Sequence, residues 1–361
     1  MQRLDTLEFE TLINEDDDDE PGQGPYFAAP LGGGGEAEAP VVVGAAGARG
    51  VTVTLFKALL LVAVALQATA YTIVRRLSRG VNEESYSSAS VLLVMELMKF
   101  SFSLLVVTFE REFSVFTLIT TSLPLLLPAI AYLAMNVLSF IAIKHVDATT
   151  FIVIIQLKLL TTALFSICIM GKEVSPRRWR SLVTLTVGVT LIAFPSTSIG
   201  EPAAARPGRG RSVSPRDETF YLGVAAVLIE VVLSGFTSVF FESTLKSSRM
   251  SVWGRNVQLS SWSILIYAGT VSMEANAAGA IFKGWTPLAV ACALLGALGG
   301  ILVALALRFT DSLSKTIATT SCIILTCIGN SLLLGEPVTF QVLLYVVIVV
   351  MSVIDYVYGA A

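Results

Sequence analysis

Apolar stretches of about 20 residues follow one another almost without pause from residue 53 to the end of the chain. A helix of that length is ~30 Å long, the thickness of the hydrocarbon core of a bilayer. Backbone groups surrounded by lipid must bond within the chain, which leaves helices and closed barrels. The stretches lack the alternation of a barrel strand, so helices are expected, at about 53–74, 87–109, 122–143, 148–170, 179–195, 219–241, 253–273, 286–307, 312–334 and 338–358. Composition excludes an ordinary soluble domain: 54% of residues are hydrophobic and 14% charged, against roughly a quarter charged in soluble proteins.

The formal charge of −3 conceals two regions of opposite sign, because the first 38 residues hold eleven Asp or Glu against Arg3 alone. This acidic stretch, with Gly32 to Gly35 and several Pro and Ala, has too little apolar surface to offset the entropy of ordering. Residues 1–52 are therefore expected to be a disordered tail. It has no basic start followed by an apolar stretch and cleavage site, so the first membrane helix is expected to direct insertion. The remaining body is cationic, which suits an anionic solute and equally suits basic loops that fix topology.

Residues 196–218, with Pro202, Pro207 and Pro215 and four arginines, cannot span and divide the body into halves, 53–195 and 219–361. The halves share a pattern. Lys144-His-Val-Asp147 recurs as Arg308-Phe-Thr-Asp311, and each aspartate stands 24 residues before a glycine, Gly171 or Gly335, followed closely by Glu173 or Glu336. Five spans per half make the copies enter from opposite faces. The expected fold is thus an all-α membrane protein of ten transmembrane helices in two inverted five-helix repeats, a design that places a solute site between the repeats at mid-membrane. An even number of spans puts both termini on one side, and the Lys and Arg of the later loops place them in the cytosol.

Charges inside the spans locate the candidate site. Lys158 falls near the middle of the span 148–170, where an unpaired lysine costs ~2.5–3.5 kcal/mol, so it should meet a cavity or a partner. Lys315, four residues past Asp311, supplies a matching cation in the second half, unless it snorkels to the interface. Together they suit a phosphate. Glu230, deep in the sixth span, can balance Lys158, recognise sugar hydroxyls or carry a proton, and the sequence does not choose. Glu96 and Lys99, three apart on the second span, read as an internal ion pair. Gly296, Gly299 and Gly300 read as close helix packing, and the four cysteines as packing residues. His145 lacks a second histidine or an adjacent nucleophile, and no catalytic constellation is visible, so no enzyme, cofactor or metal is expected.

Ser234-Gly-Phe-Thr-Ser-Val-Phe-Phe-Glu-Ser-Thr-Leu-Lys246-Ser-Ser and Trp253-Gly-Arg-Asn-Val-Gln258 resemble the SGF…FE…LK-S-S and W-x-R-N-x-Q signatures of the nucleotide-sugar transporter family. The resemblance lies with the branch that includes the CMP-sialic acid, UDP-galactose and UDP-N-acetylglucosamine carriers. Tyr71-Thr72, Glu96-Leu-Met-Lys99, Gln156-Leu-Lys158, Gly299-Gly300 and Asp311 with Lys315 support it, and it covers nearly all of residues 53–359. It implies the drug/metabolite transporter fold and a multi-pass protein of the Golgi membrane, or alternatively the endoplasmic reticulum, with both termini cytosolic. It also implies exchange of a cytosolic UDP- or CMP-linked sugar for a luminal nucleoside monophosphate. By position, Tyr132, Asn136, Lys158, Ser234, Asn256 and Lys315 fall where the family's nucleotide contacts lie, and Gln156 and Glu230 complete the expected substrate-binding set. The lipid bilayer is the other expected partner, nucleic acid is not one, and a homodimer is compatible with the family.

The chain departs from the CMP-sialic acid pattern. It reads Met135-Asn136-Val137 for Gln-Asn-Asn, Phe151 and Ile155 for two tyrosines, and Val303 and Ala304 for a polar pair. The cations remain while hydroxyl and amide donors are lost, so sialic acid is not assigned. Two other functions fit the same pattern: a drug/metabolite-type transporter of another small solute, and a non-transporting Golgi membrane adaptor acting through its acidic tail.

Overall fold

A computed structural model describes residues 43–78, 82, 84–110, 115–146, 148–193, 218–247, 250–274, 282–334 and 340–358. Most of the acidic tail and of the connecting segment lie outside these residues, as do Asp147, Gly335 and Glu336 of the repeat pattern. The chain divides into two units, residues 1–60 and 61–361. The described part of the first is helical.

All regular elements among the described residues are helical. In chain order they are α1 (Val43–Arg76), α2 (Ser88–Glu110), the short α3 (Val115–Thr120), a 3₁₀ turn (Leu123–Leu125), α4 (Leu126–His145), α5 (Ala148–Ile155), α6 (Lys158–Met170), α7 (Pro176–Ala193), α8 (Glu218–Lys246), α9 (Val252–Glu274), α10 (Pro287–Phe309), α11 (Ser312–Leu334) and α12 (Phe340–Tyr358). Every expected span window contains a helix. The first helix starts at Val43, ahead of the expected boundary at 53.

Seven helical stretches among the described residues are long and apolar enough to cross a membrane: Thr52–Arg76, Ser88–Glu110, Val153–Met170, Phe220–Lys246, Pro287–Phe309, Ser312–Gly329 and Phe340–Tyr358. The chain is a multi-pass membrane protein. The other three windows are helical but weaker as spans, for a readable reason: α7 opens on Arg177, Arg178 and Arg180, α9 carries Arg255, Asn256 and Gln258, and the apolar part of the third window is the shorter Leu123–Ser139. Large apolar side chains such as Phe109, Leu265, Leu344 and Val347 stand exposed on the outer faces, where lipid rather than water receives them.

Local chemistry sets the helix ends. Thr286 caps α10 by accepting the Ala289 N–H at 3.2 Å, with Pro287 next in line, where its missing N–H costs nothing. Gly171 ends α6 in the left-handed conformation (φ 67°), which a side chain would strain. Asp311 accepts the Ser314 N–H at 2.7 Å and so opens α11.

Three helix pairs pack across the 196–218 connection: α2 on α9, α6 on α11 and α7 on α12. One buried apolar core joins Leu159 and Ala163 of α6, Leu182 and Leu185 of α7, Leu313 and Ile317 of α11 and Val349 of α12. Another joins Leu125 and Ala129 to Phe241 and Leu245 of α8, Leu259 of α9 and Leu307 of α10. Helix α8 also packs along α4 and α6.

Candidate substrate site

The expected continuous span 148–170 is broken. Helix α5 stops at Ile155, and the N–H groups of Gln156 and Leu157 turn back to the carbonyls of Val153 (3.3 Å) and Ile154 (3.0 Å), one residue short of α-helical bonding. The β-branched run Ile152-Val-Ile-Ile155 weakens helix propensity just where the winding tightens. A new helix, α6, then begins at Lys158. Lys158 therefore stands just past a tightened turn within the helical stretch Val153–Met170.

The Lys158 backbone is bonded within α6, and α6 is bonded there to α8. The hydroxyls of Thr161 and Thr162 donate to its carbonyl at 3.1 and 2.7 Å, and Thr161 also donates to Val231 O of α8 at 3.0 Å. Gly235 on α8 makes that approach feasible, because a Cβ there would come within 2.6 Å of Thr161 Oγ1. Lys315, in the first turn of α11, does not snorkel: its ammonium donates to Ser238 Oγ of α8 at 2.9 Å. Lys158 and Lys315 lie within range of each other's charge, and so do Lys158 and Glu230. The structure thus brings together the two cations that the sequence placed in separate halves.

Glu230 is fixed by one oxygen, which accepts from Ser139 Oγ of α4 at 2.7 Å, while its other oxygen is buried without a hydrogen-bond partner. Helix α8 carries Glu230, Ser234, Ser238 and Glu242 at four-residue intervals, a spacing that keeps them on one side of the helix. This stripe runs alongside Lys158 and Lys315. It was open to sequence reading as four polar residues at i, i+4 in an apolar helix.

Glu242 is a buried acid that sequence reading passed over. Fully buried, it accepts from Lys172 Nζ at 2.7 Å, from Lys246 Nζ at 3.1 Å and from the backbone N–H of Ser312 at 2.7 Å. One carboxylate therefore ties the segment after α6 and the start of α11 to α8, and it also lies in electrostatic range of Lys315. Its sequence signal was a lone acid four residues before Lys246 in an apolar run.

The remaining candidates are distributed more widely. Asn136 donates to Tyr267 OH of α9 at 2.9 Å, and Tyr132, Tyr71 and Glu96 stand in electrostatic range of that tyrosine. Glu96 pairs with Lys99 at 2.8 Å, as its spacing implied. Gln156 is buried in the helix break, two residues before Lys158. Asn256 is buried, with its amide nitrogen unpartnered. No hydrogen bond among the described residues links Gln156, Ser234 or Asn256 to either lysine.

The other members of the W-x-R-N-x-Q motif have structural work. Arg255 donates to Thr121 O (3.0 Å) and Gln258 Oε1 (2.9 Å), and Gln258 donates to Leu118 O (2.7 Å) and Thr121 Oγ1 (2.8 Å). They pin α9 to α3 and the turn after it. Gly296 and Gly300 admit side chains rather than a second backbone: a Cβ at Gly296 would meet Met95 at 2.1 Å, and one at Gly300 would meet Lys99 Cδ at 2.5 Å. The expected close helix packing is therefore filled by inserted side chains.

A solved crystal structure shares the fold, with a TM-score of 0.62 at 11% identity over 84% of this chain and 98% of the other. Among curated proteins, the chain is 35% identical over 220 residues to a UDP-N-acetylglucosamine/UDP-N-acetylgalactosamine transporter of Caenorhabditis elegans, covering 60% of this chain and 62% of that one. It is 32% identical over 282 residues to a UDP-N-acetylglucosamine transporter of Rattus norvegicus, covering 73% and 82%. It is 30% identical over 295 residues to a UDP-galactose transporter of Schizosaccharomyces pombe, covering 78% and 81%. All three relatives are named as transporters, not enzymes. The sequence of residues 52–359 matches the family described as Nucleotide-sugar transporter, and the chain belongs to that family.

Proposed function

We propose that this chain exchanges a cytosolic UDP-linked sugar for a luminal nucleoside monophosphate across the Golgi membrane by alternating access. Its body is ten transmembrane helices in two inverted repeats, residues 53–195 and 219–361, with both termini in the cytosol. Packing across the halves of α2 on α9, α6 on α11 and α7 on α12 supports that reading, because contacts of this kind lie near a two-fold axis. The names of the relatives favour UDP over CMP as the carrier group.

One observation carries the reading: Lys158 at the broken start of α6 and Lys315 in the first turn of α11 lie in electrostatic range of each other beside the polar stripe of α8. Two like charges in a low-dielectric interior repel, so an anion that bridges them is strongly favoured. In this mechanism the phosphate or diphosphate occupies the space between the ammonium groups. Ser234, Gln156, Asn256, Asn136, Tyr132 and Glu230 contact the nucleoside and sugar. The empty cationic site is costly to close, and a phosphate neutralises it. Switching therefore follows occupancy, and exchange rather than net flux results.

The test is uptake into liposomes holding the purified chain. Preloading with UMP should accelerate entry of a UDP-sugar severalfold over empty liposomes. Equal uptake with and without any nucleoside monophosphate inside would overturn the exchange.

A further inference from the structure

Helices α1, α11 and α12 enclose a cleft of about 260 Å³ lined by Leu61 and Ala65, by Ile317, Ala318 and Leu325, and by Tyr356 among others. Apart from Ser314 and Ser321, the lining residues are apolar or aromatic. The Ser314 hydroxyl is already bonded to Asp311 at 2.8 Å. Along α11 the cleft runs from Ser314 to Leu325, a rise of ~16 Å, or about half the ~30 Å hydrocarbon thickness.

The end near Tyr356 is polar and cationic. The guanidinium of Arg178, on α7, lies 5.5 Å from the centre of the Tyr356 ring, and its Nε is buried without a hydrogen-bond partner. Arg177 pairs with Asp355 at 2.9 Å, and Arg180 and Asp311 lie within electrostatic range of Asp355 and Tyr356 respectively. Three arginines thus face two aspartates, which leaves net positive charge where a headgroup would lie.

We infer that this cleft is a binding site for one anionic phospholipid, an acyl chain lying along α11 and the phosphate at Arg178. A chain-deep apolar slot accounts for the tail, and the stacked, incompletely bonded guanidinium accounts for the charge preference. The occupant touches Ser314, the residue before Lys315, so it stiffens the part of α11 that carries one of the two cations.

Native mass spectrometry of the full chain in detergent, with added dioleoylphosphatidylglycerol or dioleoylphosphatidylcholine, tests this without reference to transport. One phosphatidylglycerol per chain is expected at concentrations where phosphatidylcholine is retained at least fivefold less, and glycerol phosphate without acyl chains should not compete. Arg178→Gln should erase the preference between the two lipids, and Ala318→Phe, which fills the slot, should reduce retention of the phosphatidylglycerol. Equal retention of both lipids by the unaltered chain, competition by glycerol phosphate, or an unchanged preference in folded Arg178→Gln would each overturn the site. If Arg178→Gln does not fold, Ala318→Phe decides, and undiminished retention there overturns it too. A stable dimer that excludes lipid, shown by mass, would assign the cleft to a second copy instead.

Discussion

Gly235 of α8 and Thr161 of α6 touch so closely that a Cβ on the glycine would lie 2.6 Å from the threonine hydroxyl and 2.8 Å from its carbonyl carbon. Backbone cannot yield as a flexible side chain can. Gly235→Ala should therefore separate α8 from α6, loosen Lys158 and lower stability by about 1–3 kcal/mol. A thermal melt in detergent checks the stability, and loss of monophosphate binding in the folded fraction checks the displaced lysine.

Glu242→Ala removes the acceptor of a backbone N–H and of two ammonium groups at once. Both lysines keep about 30% exposure of their side chains (32% for Lys172, 28% for Lys246), so water compensates them in part. The buried N–H of Ser312 is not so compensated, and leaving it unpaired costs about 1–3 kcal/mol. The melting temperature should fall clearly for Glu242→Ala and only slightly for Lys172→Ala, a difference that thermal unfolding reads directly.

The neighbours Arg255 and Asn256 should separate by phenotype. Arg255→Ala breaks the link from α9 to Thr121, and the account expects lower stability with an unchanged KM in the surviving protein. Asn256→Ala removes a buried amide whose nitrogen has no protein partner. It should leave the melt near normal and raise KM about fivefold or more, since a hydrogen bond of ~1 kcal/mol corresponds to roughly that factor.

Glu230→Gln keeps an oxygen to accept from Ser139 and deletes a negative charge in range of Lys158. The site becomes more cationic, so binding of a nucleoside monophosphate should tighten about threefold to tenfold. Calorimetric titration with UMP measures it. Weaker binding would place Glu230 on a hydroxyl of the solute instead.

The helices were legible because apolar length against bilayer thickness is a coarse and strongly constrained signal. Glu96 with Lys99 was legible for the same kind of reason: both partners lie on one helix, three residues apart, and they meet at 2.8 Å. The gap after Ile155 was not, because an uninterrupted apolar run reads identically whether its helix is whole or broken, and only the neighbours that take up the freed backbone groups decide. Glu242 was passed over because two of its three contacts, Lys172 and Ser312, are each 70 residues away in sequence. Gly235 sat in a quoted motif, yet nothing in one sequence says which neighbour a glycine makes room for. The lysines lie between these cases. The place of Lys158 within an apolar span followed from position, whereas the inward turn of Lys315 and the meeting of the two along α8 required the packing of both halves.

The most direct test of the paired cations is exchange by Lys158→Ala protein in liposomes preloaded with UMP, with Lys158→Arg alongside to keep the charge. Loss of a charge-assisted hydrogen bond of ~1.5–3 kcal/mol predicts a fall of roughly tenfold to hundredfold in uptake at low solute concentration, with partial recovery in Lys158→Arg. Lys158→Ala protein that melts like the unaltered chain and exchanges at the same rate would contradict the account.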